Sequence, residues 1–143
     1  LIAAQKFVPA DASFGLNSAN LVLQIAQKVL AARIAERTDG KQAIAILRSA
    51  VALEDSMAYD EPQAWFLPVR EFLGAALMRS GDYAGSEQVF RADLERNRRN
   101  GRSLFGLMEA LKAQKKDHEA MLVKQQFEAA WKNADTKLTL DPL

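Results

Sequence analysis

The chain has 143 residues, enough for about one ordinary domain. Apolar residues make up 49% and charged residues 26%, a balance that excludes a disordered polyelectrolyte. With 19 basic and 18 acidic residues the formal charge is +1, so no global attraction draws the chain to nucleic acid or an anionic membrane.

Cysteine is absent, which rules out disulfides, thiol nucleophiles and zinc–thiolate sites. No apolar run reaches the roughly 18–20 residues of a membrane span; Leu21–Ile34 is interrupted by Gln24, Gln27, Lys28 and Arg33. The opening Leu-Ile-Ala-Ala, with no initiator Met or basic stretch, reads as a cut from a longer protein, so a leader would be out of view.

In chain order, Leu1–Gln5 can end an upstream helix, and Pro9, Asp11, Ser13 and Gly15 mark a loop. Asn17 or Ser18 can cap a first helix running to about Arg37, where Thr38-Asp39-Gly40 breaks it. Ala43, Ile46, Leu47, Ala50, Val51 and Leu53 have helical spacing and predict a second helix ending near Asp55. Tyr59-Asp60-Glu61-Pro62 reads as a loop, with Pro62 in the first turn of a helix carrying Trp65, Val69, Leu73, Ala76 and Leu77. Gly81 suits the left-handed position after that helix. A fourth helix carries Ser86, Val89, Phe90 and Leu94, and Asn97–Gly101 turns the chain. A fifth helix uses Leu104, Leu107 and Leu111; a sixth uses Ala120, Val123, Phe127 and Trp131, with Asp117 as its cap. A tail with Leu138, Leu140 and Leu143 follows. No hairpin signal stands between alternating apolar runs, so no β sheet is expected.

The helix pattern repeats. Leu73-Gly74-x-x-Leu77 recurs as Leu107-Met108-x-x-Leu111, 34 residues later, and Ser86 maps to Ala120 at the same offset. Leu30-Ala31-x-x-Ile34, Ala43 and Leu47 carry the same internal spacing upstream if nine residues are inserted at Ala58–Phe66. The pattern resembles the tetratricopeptide repeat, in which small residues let two helices approach and large ones fill the space between pairs. The repeats fall at about 24–57, 67–100 and 101–134 within a domain spanning 17–134; 1–16 is an N-terminal segment and 135–143 a C-terminal tail. Arg70, Arg98 and Lys124 depart from the usual signature residues. Tyr59-Asp60-Glu61-Pro62-x-x-Trp65, Pro68-Val69-Arg70-x-x-Leu73-Gly74-Ala75-Ala76-Leu77 and Asn100-Gly101-x-Ser103-Leu104-Phe105-Gly106-Leu107 are similar to the C-terminal repeat region of large bacterial tetratricopeptide proteins. The resemblance implies an all-α solenoid of antiparallel helix pairs, a right-handed superhelix, acting as a cofactor-free interaction protein.

Signals for chemistry are sparse. His118 is the sole histidine and sits between Asp117 and Glu119; consecutive residues fan around a helix, so an exposed side chain is expected rather than a metal ligand. Asp60 and Glu61 beside Tyr59 and Trp65 are the raw material of a carboxylate site, but a structured turn accounts for them, with Tyr59 and Trp65 packed on a neighbouring helix pair. Gly101-x-x-x-x-Gly106 lacks the Lys-Ser/Thr of a phosphate loop. Arg96, Arg98, Arg99 and Arg102 can touch an acidic tail or RNA, though such a cluster at a helix end commonly answers the helix dipole.

In the repeat register, one face of each pair's first helix lines a groove. Lys28, Ala32, Ala35 and Glu36 belong to it in the first pair; Glu71, Ala75, Met78 and Arg79 in the second; Arg102, Phe105, Glu109 and Lys112 in the third. Lys28, Glu71, Met78, Arg79, Arg102, Phe105, Glu109 and Lys112 are therefore the candidate peptide-binding residues, with the loop residues Tyr59, Glu61 and Trp65 as the other candidate set. The reading is a scaffold for a peptide or protein segment, with no catalytic, cofactor or metal residues assigned. The rival is a regulatory or oligomerising appendage of a larger enzyme or sensor. The first helix carries apolar residues too broadly for one contact stripe, so cover from Ile2, Phe7 and Val8, or self-association, is expected there.

Overall fold

The structure, a computed structural model, describes residues 6–140, so the expectations for Leu1–Gln5 and Leu143 lie outside the described residues. It is mostly helical, with six helices among the described residues and 64% of those residues in helix. Two compact units divide it, Leu1–Val69 and Arg70–Leu143.

In the first unit, β1 (Ser13–Phe14) and β2 (Asn17–Ser18) precede α1 (Ala19–Ala35) and α2 (Gly40–Asp55). Asp39 accepts from the Gln42 N–H at 2.9 Å and so caps α2, satisfying a backbone donor that a helix start leaves unpaired. The helices pack through Ile25, Ala32 and Ala35 of α1 and Ala43, Leu47 and Ala50 of α2, all buried.

Several expectations fail here. The β1–β2 pairing, Ser13 with Ser18 and Phe14 with Asn17, is a short antiparallel ladder where no sheet was expected. Its turn uses Gly15 at φ +61. A Cβ on Gly15 would run into the Asp60 carboxylate, whose Oδ2 accepts the Leu16 N–H at 2.8 Å. The hairpin is therefore specified by a residue 44 positions further on, which no local pattern reveals. The α1 register also differs. Leu30 and Ile34, expected at buried repeat positions, are 52% and 65% exposed, whereas Ala32 is fully buried. The small alanine faces α2 and sets the approach; leucine spacing alone misplaced the stripe by part of a turn. Phe7 is exposed and Val8 half-buried, so the described residues leave this side of α1 largely open.

Asn17 does not cap α1. Ser18 holds the cap position without a side-chain bond, and the Ala19 N–H goes to the Ala12 carbonyl instead. The Asn17 amide bonds both backbone groups of Ala58, donating at 3.0 Å and accepting at 2.8 Å. The hairpin thereby holds the loop after α2. Pro62 and Trp65 lie in that loop and not in a helix: α3 (Val69–Ser80) starts only after Pro68, and its first N–H is taken by the Glu54 carboxylate.

The second unit contains α3 from Arg70 onward, α4 (Tyr83–Arg96), α5 (Gly101–Ala113) and α6 (Asp117–Trp131). Its core joins Phe90 of α4, Leu104, Leu107, Met108 and Leu111 of α5, and Ala120 and Val123 of α6. Phe90 has no exposed surface. A Cβ placed on Gly74 of α3 or on Gly106 of α5 would lie under 3.0 Å from its ring. The Ser86 hydroxyl donates to the Gly74 carbonyl at 2.9 Å, holding α4 against α3 at the same level.

The turn after α3 uses Gly81 at φ +83, with the Asp82 N–H bonded to the Leu77 carbonyl at 3.0 Å. Asp82 then caps α4 by accepting from the Gly85 N–H. The same geometry ends α5: Lys115 has φ +60, and the Lys116 N–H reaches the Leu111 carbonyl at 3.0 Å. Asp117, expected as a cap, is instead the first residue of α6; Lys116 holds the cap position with no side-chain bond.

Gly74→Leu should destabilise the second unit. The larger side chain meets Phe90, and overpacking typically costs about 1–3 kcal/mol, only partly offset by the roughly 1 kcal/mol better helix propensity. Urea unfolding followed by circular dichroism should show a lowered midpoint; an unchanged midpoint would mean that the Gly74–Phe90 contact sets nothing.

Candidate binding groove

The ends of α3 and α5 border an open cavity of about 470 Å³, lined by Met78, Arg79, Tyr83, Glu109, Lys112, Ala113 and Leu140. Four of the eight candidate groove residues, Met78, Arg79, Glu109 and Lys112, meet here. Lys112 donates to Glu109 at 2.6 Å, a pair one turn apart on α5 and partly exposed, which holds geometry more than it stabilises. Leu140 enters from the extended stretch after α6, and its carbonyl accepts from the Arg79 guanidinium at 3.1 Å.

Tyr83, one of the residues that carry the repeat pattern of 67–100, was not among the candidate groove residues. It is the first residue of α4, and its backbone carbonyl accepts from the Gln114 amide at 3.2 Å. Gln114 also donates to Glu87 at 2.8 Å, and the Glu87 carboxylate further takes Lys116 at 2.7 Å and Arg91 at 2.9 Å. Arg91 reaches on to Glu119 of α6 at 3.0 Å. Burial alone would raise the Glu87 pKa, but the bonds from Lys116, Arg91 and Gln114 and the Arg91 charge outweigh it and bring it down to about 2. These bonds tie α4, the end of α5 and the start of α6 together behind the groove wall.

The other candidates separate. Lys28 is half-buried on α1 in the first unit and lines no part of this cavity. Ala32, Ala35 and Ala75, expected as lining, are buried in packing. Phe105 is half-buried against Phe127, ring centroids 5.6 Å apart, and Phe127 stacks on Trp131 at 6.1 Å.

Glu71 is the clearest departure, only 2% exposed where an open groove position was expected. Its Oε1 accepts from Asn100 at 2.8 Å. Asn100 also donates to Asp93, which in turn accepts from Ser103 at 2.6 Å and Asn97 at 2.8 Å. The Asn100 side-chain oxygen Oδ1 takes the Arg102 N–H, so half-buried Arg102 serves the α5 start. Glu71 Oε2 has no hydrogen-bond partner. Burial raises the Glu71 pKa most; the Asn100 bond lowers it, the Asp93 charge raises it and the Arg102 charge lowers it. A repeat register assigns a face but does not see a polar network formed 22 to 29 residues further along.

The loop candidates are occupied structurally. Asp60 holds the Leu16 N–H and the N–H of Glu61, and Glu61 accepts from the Tyr59 hydroxyl. Tyr59 is 73% exposed, contrary to the expected packing, because its hydroxyl turns to its own loop. Trp65 is half-buried beside exposed Phe66, with its indole N–H unpartnered. His118 is exposed near the start of α6, and Arg96, Arg98 and Arg99 are exposed around the α4–α5 turn. Among the described residues no helix is long and apolar enough to cross a membrane, and no group of three or more His, Cys, Asp or Glu is placed to hold a metal ion.

No family model matches the chain, and no curated protein or solved structure matches it.

Glu71 gives a pH prediction. Its folded pKa lies above the ordinary 4.5, so the fold favours the protonated form. The stability it contributes is fully present below the unfolded pKa and is lost as pH rises through the folded one. Glu71→Gln should therefore raise the urea midpoint at about pH 7 and change it little at about pH 4. A variant equally or less stable than the wild type at the higher pH would show that the carboxylate is not strained by burial.

Proposed function

We propose that the chain is a tetratricopeptide-type, non-enzymatic scaffold that binds an extended peptide or protein segment in the groove bordered by α3 and α5. On this reading α3–α4 and α5–α6 are successive antiparallel helix pairs of the right-handed solenoid type, and α1–α2 is a further, more divergent pair.

One observation carries the proposal. The cavity is lined from equivalent positions of two helices 34 residues apart: Met78 corresponds to Lys112 and Arg79 to Ala113. Several features recur at the same offset. Tyr83 and Asp117 begin α4 and α6. Gly81 and Lys115 hold the left-handed positions, and the Leu77–Asp82 backbone bond recurs as Leu111–Lys116. Leu73 and Leu107 are both 3% exposed. Asp39 and Asp82, 43 residues apart, cap α2 and α4 alike, in keeping with the nine-residue insertion. Lys115 supports a repeated backbone plan strongly, because a non-glycine residue there costs about 1–2 kcal/mol and persists only when the surrounding turn demands it.

The groove has the makings of a segment-binding surface. Met78, Tyr83 and Ala113 offer apolar contact, while Arg79 presents a planar donor suited to backbone carbonyls. A second reading, an oligomerising or regulatory appendage, draws on the exposed Leu30 and Ile34 of α1, since contiguous apolar surface favours association.

Selection of a random-peptide display library on the immobilised chain tests the first reading. Selected peptides should lose about tenfold in affinity, roughly 1.4 kcal/mol, on Arg79→Ala with Lys112→Ala. The helical circular dichroism should be unchanged, since neither residue supports the core. Peptides that bind the double variant as well as the wild type would count against the groove.

A further inference from the structure

Resting on the groove reading, we infer that the stretch following α6 is a displaceable occupant of the groove, and that the partner is an extended, leucine-bearing segment held in the same way. After Trp131 the chain has no regular structure, yet it is fixed at two backbone carbonyls. The Trp131 indole N–H donates to the Thr136 carbonyl at 2.8 Å, and Arg79 donates to the Leu140 carbonyl at 3.1 Å. Between them Leu138 is half-buried, and half-buried Leu140 forms one wall of the cavity against the α3 and α5 residues.

Both hydrogen bonds go to main-chain oxygens, which any extended segment supplies. Only the leucine side chain beside Met78, Tyr83 and Ala113 adds selection. The cavity stays open with Leu140 in its lining, so the occupant does not fill the site. The Trp131 donor is positioned by the helices themselves. Trp131 stacks on Phe127, and Gly101 leaves the space its ring needs. Arg79 projects from the last turn of α3. Both bonds hold the stretch through its main chain, at the end of α6 and at the end of α3.

Tethering makes the stretch a competitor. A short flexible linker gives an effective concentration on the order of millimolar. A resident with an intrinsic Kd of about 0.1 mM for the groove would weaken any competing free segment by about tenfold. Selection for the partner thus includes a threshold, passed only by a segment that binds more tightly or is itself presented at high local concentration.

The test uses the full chain and a fluorescent, N-acetylated and C-amidated peptide with the sequence of residues 134–140. Leu140→Asp should release the resident without touching the helical core. The peptide should then bind the variant about tenfold more tightly than the wild type, and exchange protection of the Trp131 indole proton should be lost. A melting curve shows whether the variant stays folded; Leu138→Ser with Thr139→Gly is a second way to unseat the stretch. Equal, measurable affinity for wild type and released variants would overturn the resident-occupant idea and leave groove binding standing. No binding to any of them would overturn it too, because the stretch would not be a groove ligand. The groove reading itself fails only if the library-selected peptides ignore Arg79 and Lys112.

Discussion

The fit of the Phe90 ring between Gly74 and Gly106 is the contact on which the second unit depends. One fully buried aromatic on α4 reaches the backbones of α3 and α5 where neither carries a side chain. Large apolar area is removed from water at one point. The glycines give up about 1 kcal/mol of helix propensity each to allow it. Because α3 and α5 are both positioned by this ring, the groove residues Met78, Arg79, Glu109 and Lys112 inherit their spacing from it. The Ser86–Gly74 bond and the Glu87 cluster then hold α4 on each side of the ring.

Polar groups surround this contact in two different ways. Around Glu87 the carboxylate collects three donors, which is why its pKa falls despite burial. Around Asp93 three donors also converge, from Asn97, Asn100 and Ser103, but the neighbouring Glu71 keeps only one. A buried polar network that is fully paired fixes a unique arrangement, and one that is partly paired costs stability. The Asp93 cluster fixes the α4–α5 turn, where Arg99 takes φ +64, and Glu71 bears the cost of sitting beside it. The outcome is that α3 and α5 border a cavity at whose edge the stretch after α6 is bonded through the Leu140 carbonyl.

Local chemistry in the sequence foretold much of this architecture. The Asp39-Gly40 break, the left-handed Gly81 and the tight position at Gly74 each follow from one residue's conformational or steric character, and each lies where expected. The expectations that failed depend on partners distant in sequence. Gly15 and Leu16 form a hairpin because Asp60 receives them, and Asn17 leaves the α1 cap for Ala58. Glu71 is drawn inward by Asn100. In α1, leucines and alanines alternate so closely that spacing alone does not say which stripe faces α2. Four of the eight candidate groove residues border one cavity because Met78 and Arg79 lie in the last turn of α3, Lys112 lies in the last turn of α5 and Glu109 one turn before it. Tyr83 and Leu140 also line that cavity; Tyr83 begins α4 as Asp117 begins α6, and Leu140 reaches the cavity from the stretch after α6.

The claim that one ring sets the spacing of the groove helices is tested most directly by a double-mutant cycle between Gly106→Ala and Phe90→Leu, read by urea unfolding. Gly106→Ala alone should destabilise, since its Cβ meets the ring. In the Phe90→Leu background the shorter side chain leaves room, so the same change should cost much less, with a coupling of about 1 kcal/mol or more. Strictly additive effects would contradict the account, because Gly106 would then be small for a reason unrelated to Phe90.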